Sequence, residues 1–359
     1  MSRTAVIMAG GTGGHIFPGL AVADALKHKG WNIEWLGTPD RMEAQLVPSH
    51  GYSFNGIKIK GLRGHGVMRK LMAPFAIVQA VLQARQLFKR IKPDLVIGMG
   101  GYASGPGGVA ARSLGIPLVL HEQNAVPGMT NKLLAKIADR VLCAFPDTFE
   151  QPQAALVGNP VRAELHQVAR NPLELEQRQG LNVLVLGGSL GARALNQQVP
   201  LALKEVYSEM AVNIWHQAGK DNADSVKRAY QEFWQGQGNL RVDDFINNMA
   251  EAYHWADLVI CRAGALTVSE VAAVGIAAIF VPLPHAVDDH QTKNALSLVD
   301  RDAALLLPQQ ELEQGELAGV LTRLNQNRQQ IISMAVNALE CAEPEATHKV
   351  VEISEELVV

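Results

Sequence analysis

A glycine-rich turn close to the N-terminus constrains the fold of this chain more than any other feature. The turn, Ala9–His15, follows the short apolar run Thr4–Met8 and leads into a segment whose apolar residues recur with helical spacing. A strand, a glycine turn and a helix make a β-loop-α unit, because glycines let the backbone approach a ligand and the helix N-terminus presents free amide groups. We therefore expect the turn to bind an anion, most often a phosphate.

The turn differs from the two common phosphate-binding motifs. A dinucleotide fingerprint needs a third spaced glycine, where this chain has Ile16, and an acidic residue at the end of the second strand, Asn32–Gly37. No carboxylate stands there, and no Gly-Lys-Ser/Thr follows the turn as a Walker A loop requires. The sequence argues against both motifs, and taken alone the turn also fits a tight structural loop without a ligand.

Length and composition favour a two-domain protein of the cytoplasm. The 359 residues exceed one ordinary domain. The longest apolar run, Ala272–Leu283, is interrupted by Gly275 and Pro282 and is shorter than the roughly 18 residues that a membrane span needs. The three cysteines lack metal-ligand spacing, the N-terminus lacks the pattern of a secretory leader, and a formal net charge of −3 argues against general nucleic-acid binding.

In residues 1–161, short apolar runs alternate with helical stretches, which is the pattern of a parallel sheet covered on both faces. Strands are predicted at Ala5–Met8, Asn32–Leu36, Leu95–Gly98, Leu118–His121, Val141–Ala144 and Ala155–Val157, and helices at Gly19–Lys29, Pro74–Arg90, Gly107–Leu114 and Met129–Ala138. We therefore predict a doubly wound α/β domain.

Polar and glycine-rich segments follow the strands of this domain. A second glycine-rich turn, Gly98–Gly105, follows one strand, and the polar run His121–Asn124 follows the next. Each polar residue taken singly could be a capping or turn residue. Because the carboxyl ends of parallel strands meet at one edge of the sheet, we expect a binding site there.

The opening pattern then repeats. The apolar run Asn182–Leu186 leads into Gly187–Arg193, a near-copy of the first turn. Further strands are predicted at Ala211–Gln217, Leu240–Asp243, Leu258–Cys261 and Ala277–Val281. We place a second Rossmann-like domain at residues 162–340 and expect the C-terminal helix, about 341–359, to pack back on the first domain.

Two segments of the second domain carry candidate binding groups. Arg262–Glu270 opens a helix whose N-terminus suits a pyrophosphate, while Glu270 can accept hydrogen bonds from a ribose diol. The alternative is that Thr267 or Ser269 caps the helix and Glu270 favours its dipole. The loop Pro282–Gln291 holds two His and two Asp, but such mixed ligands in one flexible loop suit sugar hydroxyls better than a metal.

Residues 44–93 contain no Asp or Glu. The basic residues of this region are Lys58, Lys60, Arg63, Arg69, Lys70, Arg85, Lys89, Arg90 and Lys92. The segment Val67–Ile77 interleaves bases with apolar residues, which is typical of a surface that adsorbs to anionic lipid, each base contributing about 1 kcal/mol. We predict a peripheral membrane surface; the alternative is that Phe75, Ile77, Val81 and Leu82 face the core.

Six motifs occur in order along nearly the whole chain: Gly10–His15, Gly100–Gly105, His121–Asn124, Gly158–Arg162, Gly187–Arg193 and Arg262–Glu270. Together they resemble glycosyltransferase family 28, and within it the N-acetylglucosaminyltransferases of bacterial peptidoglycan synthesis. The resemblance implies the GT-B fold, in which two Rossmann-like domains face a cleft.

The resemblance also implies a reaction and a location. GlcNAc would pass from UDP-GlcNAc, with inversion, to the C4 hydroxyl of undecaprenyl-pyrophosphoryl-MurNAc-pentapeptide (lipid I), forming the β-1,4 bond of lipid II. The enzyme would lie at the cytoplasmic face of the bacterial inner membrane, bound to anionic lipids. No cofactor or metal is expected to be required, and stimulation by a divalent cation stays open.

The UDP-GlcNAc contacts that the resemblance implies are Thr12, Gly13, Gly14, Asn124, Arg162, Ser189, Ile246, Ala265, Leu266, Thr267, Val268, Ser269, Glu270 and Gln291. Ser189 and the turn Thr267–Ser269 would hold the diphosphate. Glu270 would bind the ribose and the Ile246 backbone the uracil. Gln291 and Asn124 would contact GlcNAc, whereas His290 stands where many relatives carry a second Gln, which puts one sugar contact in question.

Two side chains are candidates for the catalytic base. His15 is the first, because an imidazole can take a proton near neutral pH, and Glu122 is the second. Helix amides could stabilise the leaving diphosphate. Three other classes share parts of this pattern: a diacylglycerol glycosyltransferase, a UDP-GlcNAc 2-epimerase and a non-catalytic nucleotide-binding module.

Overall fold

The computed structural model describes residues 2–59, 67–149, 154–168, 175, 180–236 and 238–358. The chain divides into two compact units, Met1–Arg162 with Glu343–Val359, and Ala163–Ala342. Each unit has a parallel β-sheet with helices packed against it. The predicted fold class, doubly wound α/β in both halves of the chain, is confirmed.

The first unit is built on a sheet of seven strands in the described residues. The strands are β1 Thr4–Ala9, β2 Asn32–Gly37, β3 Ser53–Gly56, β4 Leu95–Gly100, β5 Leu118–Glu122, β6 Arg140–Cys143 and β7 Ala154–Leu156. They lie in the order β3-β2-β1-β4-β5-β6-β7. The helices are α1 Gly13–His28, α2 Glu43–Ser49, α3 Val67–Ile91, α4 Ser104–Ser113 and α5 Met129–Leu134, with α15 Ala346–Glu355 from the end of the chain.

Strand β1 is buried on both faces, which explains its continuous apolar sequence. Ala5 and Ile7 belong to the core cluster that includes residues of α1 and α15, whereas Val6 and Met8 belong to the cluster with residues of α3 and α4. Helix α15 packs on α1, and the Trp31 indole N–H donates a 3.0 Å hydrogen bond to Glu355.

The second unit has six strands in the part of the chain that the structure describes. They are β8 Leu181–Leu186, β9 Val212–Gln217, β10 Leu240–Asp243, β11 Leu258–Cys261, β12 Ala277–Phe280 and β13 Ala304–Leu306, in the order β10-β9-β8-β11-β12-β13. The helices are α6 Ala163–His166, α7 Arg193–Val206, α8 Ala223–Gln231, α9 Met249–Trp255, α10 Ala265–Val274, α11 His290–Val299, α12 Gln309–Glu313, α13 Glu316–Gln326 and α14 Arg328–Glu340.

Each sheet has a point at which the direction of strand succession reverses. In the first unit the reversal lies between β1 and β4, and in the second between β8 and β11. Loops on either side of such a point diverge to opposite faces, which leaves a crevice at the carboxyl ends of the two strands. All four glycine-rich or polar motifs that follow these strands therefore lie at the positions where α/β sheets bind ligands.

The predicted element boundaries were wrong at several points. Helix α1 begins at Gly13, not Gly19, so the end of the glycine turn is helical. Glycine is a poor helix former, and its run concealed the first turn. Helix α3 extends beyond its predicted bounds at the N-terminal end, whereas α5 ends at Leu134. Among the described residues, no helix combines the length and apolar character required to cross a bilayer.

Candidate functional site

Two glycine turns pack against each other at the reversal point of the first unit. Gly100 and Gly101 have φ of +105° and +94°, which is the left-handed region. A Cβ on Gly100 would lie 2.7 Å from Cδ2 of His15, and one on Gly101 would lie 2.5 Å from the Gly10 carbonyl oxygen. Because only glycine leaves this space, the turn after β4 fits closely against the first turn and the His15 ring.

His15 lies in the first turn of α1, and its ring is oriented by the backbone. Its Nδ1 lies 3.2 Å from the Gly10 carbonyl oxygen. In the tautomer that protonates Nδ1, this nitrogen donates to Gly10 and Nε2 is the basic nitrogen. Thr12 is the N-cap residue, and within the described residues its side chain makes no capping hydrogen bond to the amides of Gly14 and His15.

Glu43, which was not predicted as a site residue, joins the first glycine turn to the loop after β2. Its fully buried carboxylate accepts hydrogen bonds from the backbone amides of Gly11 and Thr38, both at 3.0 Å. A Cβ on Gly10 or on Gly37 would collide with the Glu43 side chain. These two glycines, at the ends of β1 and β2, indicate in the sequence that a side chain lies between the two loops. They do not identify which residue supplies it.

Glu122, at the end of β5, lies inside a network of hydrogen bonds. One oxygen accepts from the amide and the side chain of Asn124, at 3.0 and 3.1 Å. The other accepts from the Gly128 amide at 3.1 Å and from Asn131 Nδ2 at 2.7 Å. Since it is buried and both of its oxygens are engaged by donors in the described residues, Glu122 shapes the loop that carries Asn124.

The neighbouring histidine, His121, is fully buried. Its Nε2 lies 2.9 Å from the Gly158 carbonyl oxygen, and the Gln123 amide nitrogen lies 3.0 Å from Nδ1. Burial lowers the pKa of His121 to about 4, although the bond to Gly158 acts in the opposite direction. His121 is therefore a neutral group that ties β5 to the segment after β7. Arg162 ends that segment, with its guanidinium 5.1 Å from the Phe17 ring centroid.

In the second unit, the near-copy of the first turn packs against the loop after β9. Gly191 and Gly219 have φ of +79° and +86°, and a Cβ on Gly219 would lie 2.1 Å from the Gly191 nitrogen. Ser189 lies exposed in the turn, and its carbonyl accepts from the Lys220 amide at 3.2 Å. The near-copy therefore has the same tight backbone packing as the original.

Helix α10 presents the amides of its first turn without a side-chain cap in the described residues. Its N-cap is Gly264, and the first turn consists of Ala265, Leu266 and Thr267. The Ser269 hydroxyl donates to the Ala265 carbonyl at 3.0 Å, so the capping alternative is wrong for this residue. Val268 is buried beside it. The helix end is available for an anion.

Glu270 lies in the second turn of α10, where the residue is 6% exposed. The Tyr253 hydroxyl donates to Glu270 Oε2 at 3.0 Å. Burial, with a contribution from the negative charge of Glu270, raises the pKa of the Cys261 thiol. Glu270 is the sixth residue of α10 and lies beyond the first turn, where a favourable interaction with the helix dipole is strongest, so its position argues against the dipole role that was the alternative.

Four further hydrogen bonds of this unit involve Ile246, Gln291 and Arg262. The Ile246 amide donates to Gln217 Oε1 at 3.0 Å, so a uracil would find this amide already engaged. Gln291 accepts from the Leu283 amide at 2.9 Å through its side-chain oxygen, which directs its amide nitrogen elsewhere. Arg262 donates to the carbonyls of Val281 and Pro282, at 3.0 and 3.1 Å.

Arg262 and the loop after β12 complete this edge of the second sheet. Burial lowers the pKa of Arg262. The His and Asp residues of the loop are His285, Asp288, Asp289 and His290. Asp289 accepts from the Thr292 hydroxyl at 2.7 Å, and the described residues contain no group of three or more His, Cys, Asp or Glu that could hold a metal ion.

Helix α3 exposes the apolar side chains of the acid-free region. Phe75 is 72% and Leu82 59% exposed, and Ile77 is also at the surface, so the core alternative is wrong for these three residues. It is correct for Val81, which packs partly against the core. Of the basic residues, Lys60 and Arg63 and the side chains of Arg69 and Lys70 lie outside the described residues.

Comparison with known families matches both units. Residues 5–143 match the glycosyltransferase family 28 N-terminal domain, and residues 182–357 match the glycosyltransferase family 28 C-terminal domain. A protein of Tolumonas auensis named UDP-N-acetylglucosamine--N-acetylmuramyl-(pentapeptide) pyrophosphoryl-undecaprenol N-acetylglucosamine transferase is 56% identical over 353 residues. The alignment covers 98% of each of the two chains.

Solved structures agree with this assignment. The crystal structure of Acinetobacter baumannii MurG aligns with a TM-score of 0.84 at 44% identity and covers 99% of both chains. A UDP-GlcNAc 2-epimerase from Neisseria meningitidis, solved with UDP-GlcNAc bound, aligns with a TM-score of 0.66 at 12% identity, over 99% of this chain and all of the epimerase chain. The second likeness shows the fold alone.

Proposed function

Since the chain belongs to glycosyltransferase family 28 and has the GT-B fold, we propose that it transfers GlcNAc from UDP-GlcNAc to lipid-linked MurNAc-pentapeptide. The observation that carries this proposal is the 56% identity, over 98% of both chains, to a relative named for that reaction. The acceptor is undecaprenyl-pyrophosphoryl-MurNAc-pentapeptide, and the product is the β-1,4-linked disaccharide lipid of peptidoglycan synthesis. The chain is thus a UDP-GlcNAc-dependent hexosyltransferase of cell wall biogenesis.

In this proposal the second unit binds the donor. The uncapped first turn of α10 and the exposed turn with Ser189 hold the diphosphate, since free amides at a helix N-terminus favour an anion. Glu270 binds the ribose, and Gln291 contacts the GlcNAc. The Ile246 backbone contacts the uracil through its carbonyl oxygen, because the Ile246 amide donates to Gln217. Arg262 supports this last contact by holding the carbonyls that precede the Gln291 loop.

The first unit binds the acceptor and supplies the base. The C4 hydroxyl of MurNAc attacks the anomeric carbon of GlcNAc, the bond from that carbon to the diphosphate oxygen breaks, and UDP leaves with the bonding electrons. Nε2 of His15 takes the hydroxyl proton, because the Gly10 carbonyl holds the proton-bearing Nδ1. Glu122, with both oxygens engaged, positions Asn124 instead of accepting this proton.

The role of His15 is tested by His15→Ala. We expect turnover to fall about 100-fold or more, the usual contribution of a general base, while the affinity for UDP-GlcNAc changes little. The matched control is His348→Ala, which removes an exposed histidine of α15. Turnover and donor affinity are measured for both variants, and unchanged turnover in His15→Ala would remove His15 from the mechanism.

The exposed face of α3 is the proposed membrane surface. Phe75, Val78 and Leu82 are apolar and exposed on one helix, and Lys89 and Arg90 follow them. Such a surface adsorbs to anionic lipid by burying apolar side chains while bases contact headgroups. It would hold the enzyme at the cytoplasmic face of the membrane, where its lipid acceptor lies.

The overall function is tested with radiolabelled UDP-GlcNAc and the lipid-linked MurNAc acceptor. Transfer moves the label into the lipid phase. Label that stays water-soluble as free or epimerised sugar would instead support an epimerase or a hydrolase, and UDP-GlcNAc binding without any conversion would support a binding module. A lipid product formed with diacylglycerol but not with the MurNAc lipid would support the other lipid-acceptor class.

A further inference from the structure

Glu270 needs an outside partner to hold its carboxylate in one orientation. The final torsion of a glutamate side chain joins an sp³ to an sp² carbon, and it has a broad preference with no sharp energy wells. A carboxylate that recognises two ribose hydroxyls must nevertheless present its oxygens at a defined angle. Helix α10 fixes the Cα of Glu270, but it does not fix this last torsion.

Tyr253 supplies such a partner from another element. It lies on α9, seventeen residues before Glu270 in the chain, and its side chain is fully buried. Its hydroxyl donates to Glu270 Oε2 at 3.0 Å, and a hydrogen bond from a hydroxyl to an ionised carboxylate is among the stronger ones in proteins. Burial of both residues keeps water from replacing this bond.

We propose that Tyr253 is a positioning residue for nucleotide recognition, which fixes the Glu270 carboxylate so that the site distinguishes a ribose from a sugar without the 2′- and 3′-hydroxyls. This inference rests on the proposed function, in which Glu270 binds the ribose. Tyr253 acts through Glu270 and needs no contact with the nucleotide. Its effect therefore depends on the ribose hydroxyls and not on the uracil or the diphosphate.

The test is the ratio of dissociation constants for 2′,3′-dideoxy-UDP and UDP, measured by calorimetry on the full chain. We expect Tyr253→Phe to lower this ratio about tenfold by weakening UDP binding, the scale of one charge-assisted hydrogen bond. Affinity for 2′,3′-dideoxy-UDP should stay within about twofold, because that ligand does not use the carboxylate. An unchanged or larger ratio would overturn the inference.

The matched control is Tyr230→Phe. Tyr230 is a second fully buried tyrosine of the same unit, and its hydroxyl lies 3.0 Å from Nδ1 of His216. Both variants remove one buried hydroxyl, so thermal unfolding should show similar losses of stability. A purely structural role for Tyr253 would move the ratio equally in the two variants, and that result would also contradict the inference.

A second variant, Glu270→Gln, tests whether the Tyr253 hydroxyl acts through the Glu270 carboxylate. Glu270→Gln should lower the ratio by itself, and adding Tyr253→Phe to it should lower the ratio no further, since the hydroxyl acts through the carboxylate. If Tyr253→Phe does not fold, 3-fluorotyrosine at position 253 tests the same bond: its more acidic hydroxyl donates more strongly, so the ratio should rise, and no rise overturns the inference. Absence of UDP binding in the wild type would instead overturn the proposed function.

Discussion

The position of His15 depends on two glycines that carry no chemistry of their own. Gly100 leaves room for the imidazole ring, and Gly101 leaves room for the Gly10 carbonyl beside it. Both adopt positive φ, so a side chain at either would be strained as well as crowded. Besides the anion binding that is proposed for them, the glycine turns therefore position the side chain that is proposed as the base.

Gly100→Ala should therefore disable turnover by moving His15. The new Cβ would lie 2.7 Å from the ring, and a displacement of about 1 Å at a reacting group can lower the rate about 100-fold. Gly115→Ala is the matched control, because Gly115 also has positive φ, at +70°, but a Cβ there would have no atom within 4 Å among the described residues. Steady-state turnover and thermal unfolding are measured for both variants.

The two glycine variants should separate strain from displacement. Each should lose roughly 1–2 kcal/mol of stability from the left-handed backbone, but only Gly100→Ala should lose turnover. Equal turnover in the two variants would show that the Gly100 contact with His15 does not matter for the reaction.

At the scale of elements, the same helix-start geometry serves both units. Helices α1 and α10 each follow a strand at a reversal point, and in the described residues neither N-cap residue makes a side-chain capping hydrogen bond. A helix of this kind leaves its first amides for water or a ligand. In α10 the buried Glu270 follows one turn later, which suits a diphosphate joined to a ribose.

The exposed apolar face of helix α3 is the proposed membrane surface. Replacing two of its exposed apolar side chains in Phe75→Ser/Leu82→Ser should weaken binding to vesicles that contain anionic phosphatidylglycerol. Each of the two large side chains contributes up to about 1.5–3 kcal/mol when buried, so we expect a loss of about tenfold or more. Co-sedimentation at low salt measures the effect.

The control for α3 is Leu201→Ser/Val336→Ser, which removes two exposed apolar side chains of α7 and α14 in the second unit. This variant should bind vesicles as the wild type does. If both double variants lose binding equally, general surface hydrophobicity and not the face of α3 would explain the adsorption.

At the scale of the molecule, each unit has, among the residues that the structure describes, one fully buried histidine that resists protonation. Burial lowers the pKa of His121 to about 4 and that of His216 to about 3. The unfolded chain takes up these protons near pH 6.5, whereas the folded chain does not. The stability that the two neutral histidines contribute is thus fully present above about pH 6.5. It is lost progressively as the pH falls toward their pKa values in the folded chain.

Lowering the pH from 7 to 5 should therefore cost about 2 kcal/mol of unfolding free energy for each of the two histidines. Urea unfolding at the two pH values measures this loss. His216→Gln, which replaces the ring between Tyr230 and Asn196 by an uncharged side chain, should reduce the loss by roughly half. If the variant loses as much unfolding free energy as the wild type between pH 7 and pH 5, protonation of His216 does not contribute to the loss.

Much of the architecture follows from local pattern. The buried strands β1, β4, β8 and β11 were predicted because strands covered on both faces need continuous apolar runs. The edge strands β3 and β13 and helix α2 were missed. Strand β3 reads Ser-Phe-Asn-Gly and is only partly buried, so it lacks the apolar signal, and pairing with β2 alone makes it a strand.

The sequence by itself determined the fold class, the family and the segments that form the site, because these depend on residues close together in the chain. The tertiary structure decided what each side chain contacts. Glu122 looked like a possible base until its four donors were in place, and the pairs Glu43 with Gly11 and Tyr253 with Glu270 join different elements. Such pairs form only after strand order and helix packing bring distant residues together, and the hydrophobic periodicity of the sequence does not predict them.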